Sequence, residues 1–356
     1  MDFSKLKIGY VPYLNDMSQP GNRRRFPYYA KRKNIAYSIA NPSEEYDIVL
    51  LTGQANLSEW LIYKKSHPLT KFIFEMTDST IFPSDPIRTL LKGSGRYLLG
   101  KEKALYLDYK TPVRKWLSCA DLVICSSRAV KESIAKWSQH IVISLDYLES
   151  EYRFLKTNFD IAPKMKLVWE GLGVSLHHLW KFKEVFKEVS SFCELHIITS
   201  ENFTVWGNMY EKNVKEIVKK LPIETVFHKW EMNTKDQILS NCDLGIIPLN
   251  KKNLFAWHKP ANKLISFWFC GLPTLVSNTP AYVDFMDDAE SKMYCADTKE
   301  WITKIKEYYH ASSSERKAIS IKNNEFVKAH YSDYAIDKVW DGIFQKMDQT
   351  VFESLA

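Results

Sequence analysis

Residues 258–277 read His-Lys-Pro-Ala-Asn-Lys-Leu-Ile-Ser-Phe-Trp-Phe-Cys-Gly-Leu-Pro-Thr-Leu-Val-Ser. Pro260 suits the first turn of a helix, where a missing N–H costs nothing. Leu264, Ile265, Phe267, Trp268 and Phe269 make the helix Asn262 to Phe269 apolar on nearly every side, so it must be buried. Gly271 supplies the permissive backbone that ends a helix, and Pro273 blocks its continuation. Thr274 to Ser277 then reads as a short buried strand. The helix opens with Lys259 and Lys263, where free N–H groups and the positive end of the dipole also lie. Its start is therefore a candidate anion site.

The same strand–helix alternation runs through the whole chain. Before the helix, short continuous apolar runs at 7–11, 47–51, 70–76, 121–125 and 141–145 are separated by helical patterns. A second series follows at 166–169, 194–198, 225–227 and 243–247. Continuous apolar runs with helices between them mean parallel sheets covered on both faces. The polar stretch 149–163 ends in Pro163 and divides the two series. This gives a first domain at 1–155, a second at 156–330 and a closing helical segment at 331–356. Helices are expected at 177–189, 208–220 and 235–241, the last capped by Asn233 or Thr234.

A chain of 356 residues accommodates two domains of ordinary size. Its 45% hydrophobic and 26% charged content is that of a soluble globular protein. No apolar run approaches roughly 18 residues, so no transmembrane helix is expected. The N-terminus runs straight into a strand and lacks a signal-peptide core. Six cysteines fall in no paired spacing, which predicts reduced core residues, no disulfides and no zinc in a cytoplasmic protein.

The net charge of +7 is unevenly placed. Residues 1–155 carry the whole excess, and the remainder is balanced. That asymmetry points to an anionic partner for the first half, either an acidic substrate or an anionic membrane surface, or to a solvated basic face. Arg23, Arg24 and Arg25 stand at a helix start, where they oppose the dipole. They are candidates for holding phosphate or carboxylate by bidentate contacts. Glu75 and Asp78 fall at the end of a parallel strand, where open α/β sheets place their ligands. Asp78 is the candidate for contact with an acceptor hydroxyl or its proton. The segment 86–108 mixes Lys and Arg with leucines, a pattern that suits either a membrane surface or an ordinary surface helix pair. The basic residues do not sit in a nucleic-acid-binding motif, so no nucleic acid partner is expected.

Over residues 225–283, taking in Thr225–Trp230, Gln237–Leu249 and Lys259–Ser277, the chain resembles the donor domain of retaining glycosyltransferases. The type is the large "glycosyl transferases group 1" (family 4-like) group of GT-B architecture. Cys119 to Arg128 is similar to the last strand of their acceptor domain, and Asn323 to Phe344 to their closing helices. The resemblance implies two Rossmann-like parallel-sheet domains facing across a cleft. It implies a nucleotide-sugar donor and a glycan or lipid-linked acceptor, of the kind used in cell-surface polysaccharide or lipopolysaccharide synthesis. No cofactor or metal is implied. Gly171 matches the glycine loop near the diphosphate, and Trp230 a neighbour of the base. Lys259, Asn262 and Lys263 match the helix end facing phosphates and ribose. His258 and Ser266 stand where the family often has a pair of glutamates, and Ser266 offers the ribose a hydroxyl instead. Gly173 to His178 also lacks the usual basic pair. A non-catalytic homologue and a sugar-nucleotide epimerase of the same architecture stay open. The expected location is the cytoplasm, at the inner face of a membrane.

Overall fold

A parallel six-stranded sheet organises the N-terminal part of the chain. Its strands are β1 (Ile8–Val11), β2 (Ser38–Ile39), β3 (Ile48–Thr52), β4 (Lys71–Glu75), β5 (Leu122–Cys125) and β6 (Ile141–Ile143). This computed structural model describes residues 5–13, 15–76, 81, 94–100, 102–148, 152–205 and 210–353. Asp78 and residues 86–93 and 101 of the basic segment lie outside that set. The chain forms two units. The first is Met1–Tyr147 with Asn253–Pro260 and Asp333–Ala356; the second is Leu148–Lys252 with Ala261–Ser332.

In the first unit the strand order is β2-β1-β3-β4-β5-β6, so the winding reverses between β1 and β3. The apolar runs exist because both faces are covered. Val49 and Leu51 point into one core with Trp60 and Trp116. The helices Phe26–Lys33 and Asp333–Glu353 pack together, with Tyr29 stacked on Trp340 at 5.6 Å and on Phe344 at 5.7 Å.

The second unit holds β7 (Met165–Glu170), β8 (Cys193–Thr199), β9 (Asn202–Val205), β10 (Tyr210–Asn213), β11 (Thr225–Lys229), β12 (Leu244–Ile247), β13 (Thr274–Ser277) and β14 (Tyr294–Cys295). Six of these form a parallel sheet in the order β11-β8-β7-β12-β13-β14, while β9 and β10 make an antiparallel hairpin. The winding reverses between β7 and β12, the point at which doubly wound sheets bind ligands. The helix Asn262–Phe269 has the bounds read from sequence, and Leu264 to Phe269 are all buried. Gly271 has φ +68, the left-handed conformation that stops the helix. Asn324 Nδ2 donates to the Trp268 and Phe269 carbonyls at 2.9 and 3.0 Å and so satisfies the helix end.

Three local expectations change. Of the helix expected over 208–220, residues 208 and 209 lie outside the described set, and the remainder opens with the strand β10 followed by the short helix Val214–Val218. The four residues of β10 are polar and exposed, so they carry no strand periodicity. The helix expected over 177–189 is broken into His177–Trp180 and Lys183–Val189. Phe182 turns inward there and packs edge-on against Phe186 and Trp301. Thr234 is the N-cap residue of Lys235–Ser240, but its side chain makes no capping bond.

All six cysteines are free, and five are buried. Burial pushes the Cys125 thiol up to about 11, which keeps it protonated. Among the described residues no helix is long and apolar enough to cross a membrane.

Candidate functional site

At the carboxyl end of β7 the second unit gathers several candidate residues. Trp230 Nε1 donates to Glu170 Oε1 at 3.0 Å. Lys263 Nζ donates to the Glu170 carbonyl, lies 4.0 Å from Glu170 Oε2, and sits 5.3 Å from the centre of the Trp169 ring. Gly171 follows directly. A Cβ on Gly171 would lie 2.7 Å from Trp169 Cζ2 and 3.1 Å from Lys263 Nζ, so only glycine fits without displacement. The backbone is fixed by the Gly171 N–H, which donates to the Ile198 carbonyl at 3.1 Å, and by the Trp230 N–H, which donates to the Thr199 carbonyl at 2.8 Å.

The start of the helix Asn262–Phe269 borders this cluster through Lys263. Asn262 Oδ1 is buried with no hydrogen-bond partner among the described residues. A buried orphan oxygen is costly, and a donor from a ligand would satisfy it. Ser266 is buried, and its hydroxyl donates to the Lys263 carbonyl at 2.8 Å. Its proton is thus held within its own helix. Lys259 belongs to the segment that groups with the first unit, where its Nζ lies 5.6 Å from the Phe255 ring centre. Glu170 is the member of this cluster that the sequence reading passed over. Its signal was its place as the last residue of a strand, immediately before Gly171.

Beyond β12, β13 and β14 lies a cavity of about 310 Å³ lined by Lys181, Asn250, Lys252, Asn278 and Trp301 among others. Asn278 Oδ1 is a further buried oxygen with no partner among the described residues. On the neighbouring strands, His196 Nε2 faces Glu194 Oε1 and His196 Nδ1 faces His228 Nε2, both at 2.9 Å. Burial, with the His196 charge adding to it, lowers the His228 pKa below its ordinary value.

In the first unit the three arginines separate. Arg23 and Arg24 are half-buried, whereas Arg25 is buried. Arg25 pairs with Glu75 at 2.9 Å and Asp146 at 2.8 Å. The short helix Pro20–Arg23 ends before it, and Arg25 becomes the N-cap residue of Phe26–Lys33, which directs it into the fold. Glu75 Oε2 and Thr52 Oγ1 lie on register-paired residues at the ends of β4 and β3, and both are buried orphans among the described residues.

No family model matches the chain. No curated protein matches it either. Solved structures do. HepE of Anabaena in complex with UDP is similar over 96% of this chain and 100% of its own, with a TM-score of 0.65 and 12% identity. A glycosyltransferase from Rickettsia africae matches over 95% and 97%, with a TM-score of 0.62 and 10% identity. Sucrose-phosphate synthase from Thermosynechococcus elongatus matches over 86% and 74%, with a TM-score of 0.61 and 12% identity. The fold is that of the GT-B glycosyltransferases.

Among the described residues no group of three or more His, Cys, Asp or Glu is arranged to hold a metal ion.

Proposed function

We propose that this chain is a retaining, metal-independent glycosyltransferase that moves a sugar from a nucleotide donor to a glycan or lipid-linked acceptor at a membrane surface. The observation that carries the reading is the joining of Glu170, Gly171, Trp230 and Lys263 at the winding reversal of the second sheet. The structural neighbour HepE, which has been captured with UDP and with UDP-glucose, supports the same reading.

The parts have distinct tasks. Gly171 lets backbone approach the diphosphate. Lys263 turns from the Glu170 carbonyl to a phosphate oxygen and offsets the charge that builds on the leaving group. Asn262 Oδ1 accepts from a ribose hydroxyl, in place of a carboxylate at Ser266. Glu170 holds the Trp230 indole beside the base. Arg23 and Arg24 serve an anionic acceptor in the first unit. The acceptor hydroxyl displaces the nucleoside diphosphate at the anomeric carbon with retention of configuration.

A thermal-shift screen against UDP, GDP, ADP and CMP tests the donor site. A ligand at about a hundredfold its Kd stabilises the folded state by about 2.7 kcal/mol. One nucleotide should raise the melting temperature, and the matching nucleotide-sugar should be turned over with an acceptor. Failure of all four nucleotides overturns the reading. Binding without turnover would leave a non-catalytic homologue, and release of free nucleotide without transfer would indicate an epimerase.

A further inference from the structure

The cavity past β12, β13 and β14 is not part of the donor cluster. Glu170, Trp230 and Lys263 meet at the carboxyl end of β7. The cavity of about 310 Å³ is lined instead by the residues that follow β12 and by those at the ends of β13 and β14. The carboxyl edge of a parallel sheet is where α/β folds hold their ligands.

The loops that line the cavity are tied to one another. The Leu249 N–H donates to Ser277 Oγ at 2.8 Å, and the Asn278 N–H donates to the Cys295 carbonyl at 3.0 Å. One wall is aromatic: the buried Phe182 and Trp301 rings meet edge to face at 4.7 Å. The cavity is therefore formed without a ligand, as small-molecule sites usually are.

Its two ends differ in polarity. Lys181, Lys251 and Lys252 are exposed lining residues, against a single carboxylate, Asp297, among the described ones. Asp297 Oδ1 is engaged as the cap of the helix Thr298–His310, accepting from the Glu300 N–H at 3.0 Å. Glu300 Oε2 in turn accepts from the Ala296 N–H at 2.7 Å. Lys181 and Lys252 pair with no carboxylate among the described residues. At the buried end stands an acceptor, Asn278 Oδ1, which has no hydrogen-bond partner among the described residues. Leaving such an oxygen unpaired is costly, and a hydroxyl from a ligand would satisfy it.

These features select a ligand. Inorganic phosphate would suit the lysines but leave Asn278 unpaired. A neutral sugar would suit Asn278 and the aromatic wall but leave the lysines without an anion. The volume stands at the bottom of the range of about 300–1,000 Å³ for small-molecule sites, which suits a monosaccharide better than a nucleotide-sugar. We propose that this cavity binds a phosphorylated monosaccharide. Lys181 and Lys252 hold its phosphate, a ring hydroxyl donates to Asn278 Oδ1, and the C–H groups of the ring lie against Phe182 and Trp301. The site is separate from the donor site, and the proposal holds whatever the donor is.

The test is calorimetric titration of the full chain with glucose 6-phosphate, mannose 6-phosphate and fructose 6-phosphate, beside glucose and inorganic phosphate. At least one hexose phosphate should bind roughly tenfold more tightly than either glucose or phosphate, because it alone satisfies both ends. Lys181→Ala/Lys252→Ala should raise its Kd roughly tenfold or more. Asn278→Leu keeps the size of the side chain and removes the amide. It should raise the Kd about tenfold without lowering the melting temperature of the free protein, since Oδ1 has no bond to lose there. A purely structural Asn278 would give the opposite pair of results. The proposal is overturned if no hexose phosphate binds more tightly than both controls, or if the Kd is unchanged in either variant. Competition with a nucleotide also overturns it, because the hexose phosphate would then occupy the donor site. Hexose phosphate binding in a chain that none of the four nucleotides stabilises would sink the donor reading and leave this one standing.

Discussion

Trp230 and Glu170 stand sixty positions apart and meet at 3.0 Å, indole N–H to carboxylate oxygen. The bond ties the end of β7 to the residue after β11, and it leaves Glu170 with its carbonyl turned to Lys263. Lys263 is the cation of this arrangement, with a side chain 28% exposed. Lys263→Ala should therefore weaken binding of the stabilising nucleotide by about 1.5–3 kcal/mol, the range for hydrogen bonds to charged groups. Isothermal calorimetry should show a Kd at least tenfold higher, with the melting temperature of the free protein nearly constant. An unchanged Kd would remove Lys263 from the phosphate site.

Gly171→Ala tests the close approach at the same place. The new methyl would meet the buried Trp169 ring at 2.7 and 2.8 Å, and a rigid indole has little room to give. Overpacking of this kind costs about 1–3 kcal/mol. Chemical denaturation should show that loss, together with weaker nucleotide binding. Gly53→Ala is the control, since nothing lies within 4 Å of a Cβ there.

The architecture was readable because its signal is local. Ile48 to Leu51 and Leu122 to Cys125 are apolar at every position, and helices on both faces are what bury every position. Gly271 marked the end of the buried helix because only a left-handed residue fits there. The short strands Ser38–Ile39 and Tyr294–Cys295 have too few residues to show a period. The site was harder to read for a different reason. Trp230 gave no hint that Glu170 would be its partner, because the pairing is made by the sheet and not by spacing. The run Arg23 to Arg25 read as one basic patch, yet a helix break sends Arg25 inward to Glu75 and Asp146.

That inward arginine predicts a pH response. Burial raises the Glu75 carboxyl above its ordinary value of 4.5, and the lowering pull of Arg25 does not cancel it. A carboxyl with a raised folded pKa binds more protons in the native state than in the unfolded one. Stability is then greatest below the ordinary value and falls as pH rises from 4.5 through the raised value. Denaturation midpoints of the parent should decline across that window. Glu75→Gln, which cannot titrate, should lack this component of the decline. Arg25→Ala should instead cost about 3–5 kcal/mol, because it strands the buried Glu75 carboxylate without its cation. Matching pH profiles for the parent and Glu75→Gln would show that Glu75 is not the titrating group.

The helix Asp333–Glu353 gives the last prediction, because two kinds of contact hold it and they differ in strength. Trp340 is 1% exposed and stacks on Tyr29. Arg32 bonds Asp337 through Nε and Nη2, the shortest contact being 2.8 Å, but its side chain is 35% exposed. Removing a buried indole costs about 3–5 kcal/mol through lost burial and the cavity left behind. A partly exposed ion pair is screened by water and contributes about 0–1 kcal/mol. Trp340→Ala should therefore lower the urea midpoint several times more than Arg32→Ala does. Trp340→Phe should recover much of the loss, since Trp340 Nε1 has no hydrogen-bond partner among the described residues and its removal breaks no bond. If Arg32→Ala proved the costlier change, the aromatic stack would not be what anchors this helix.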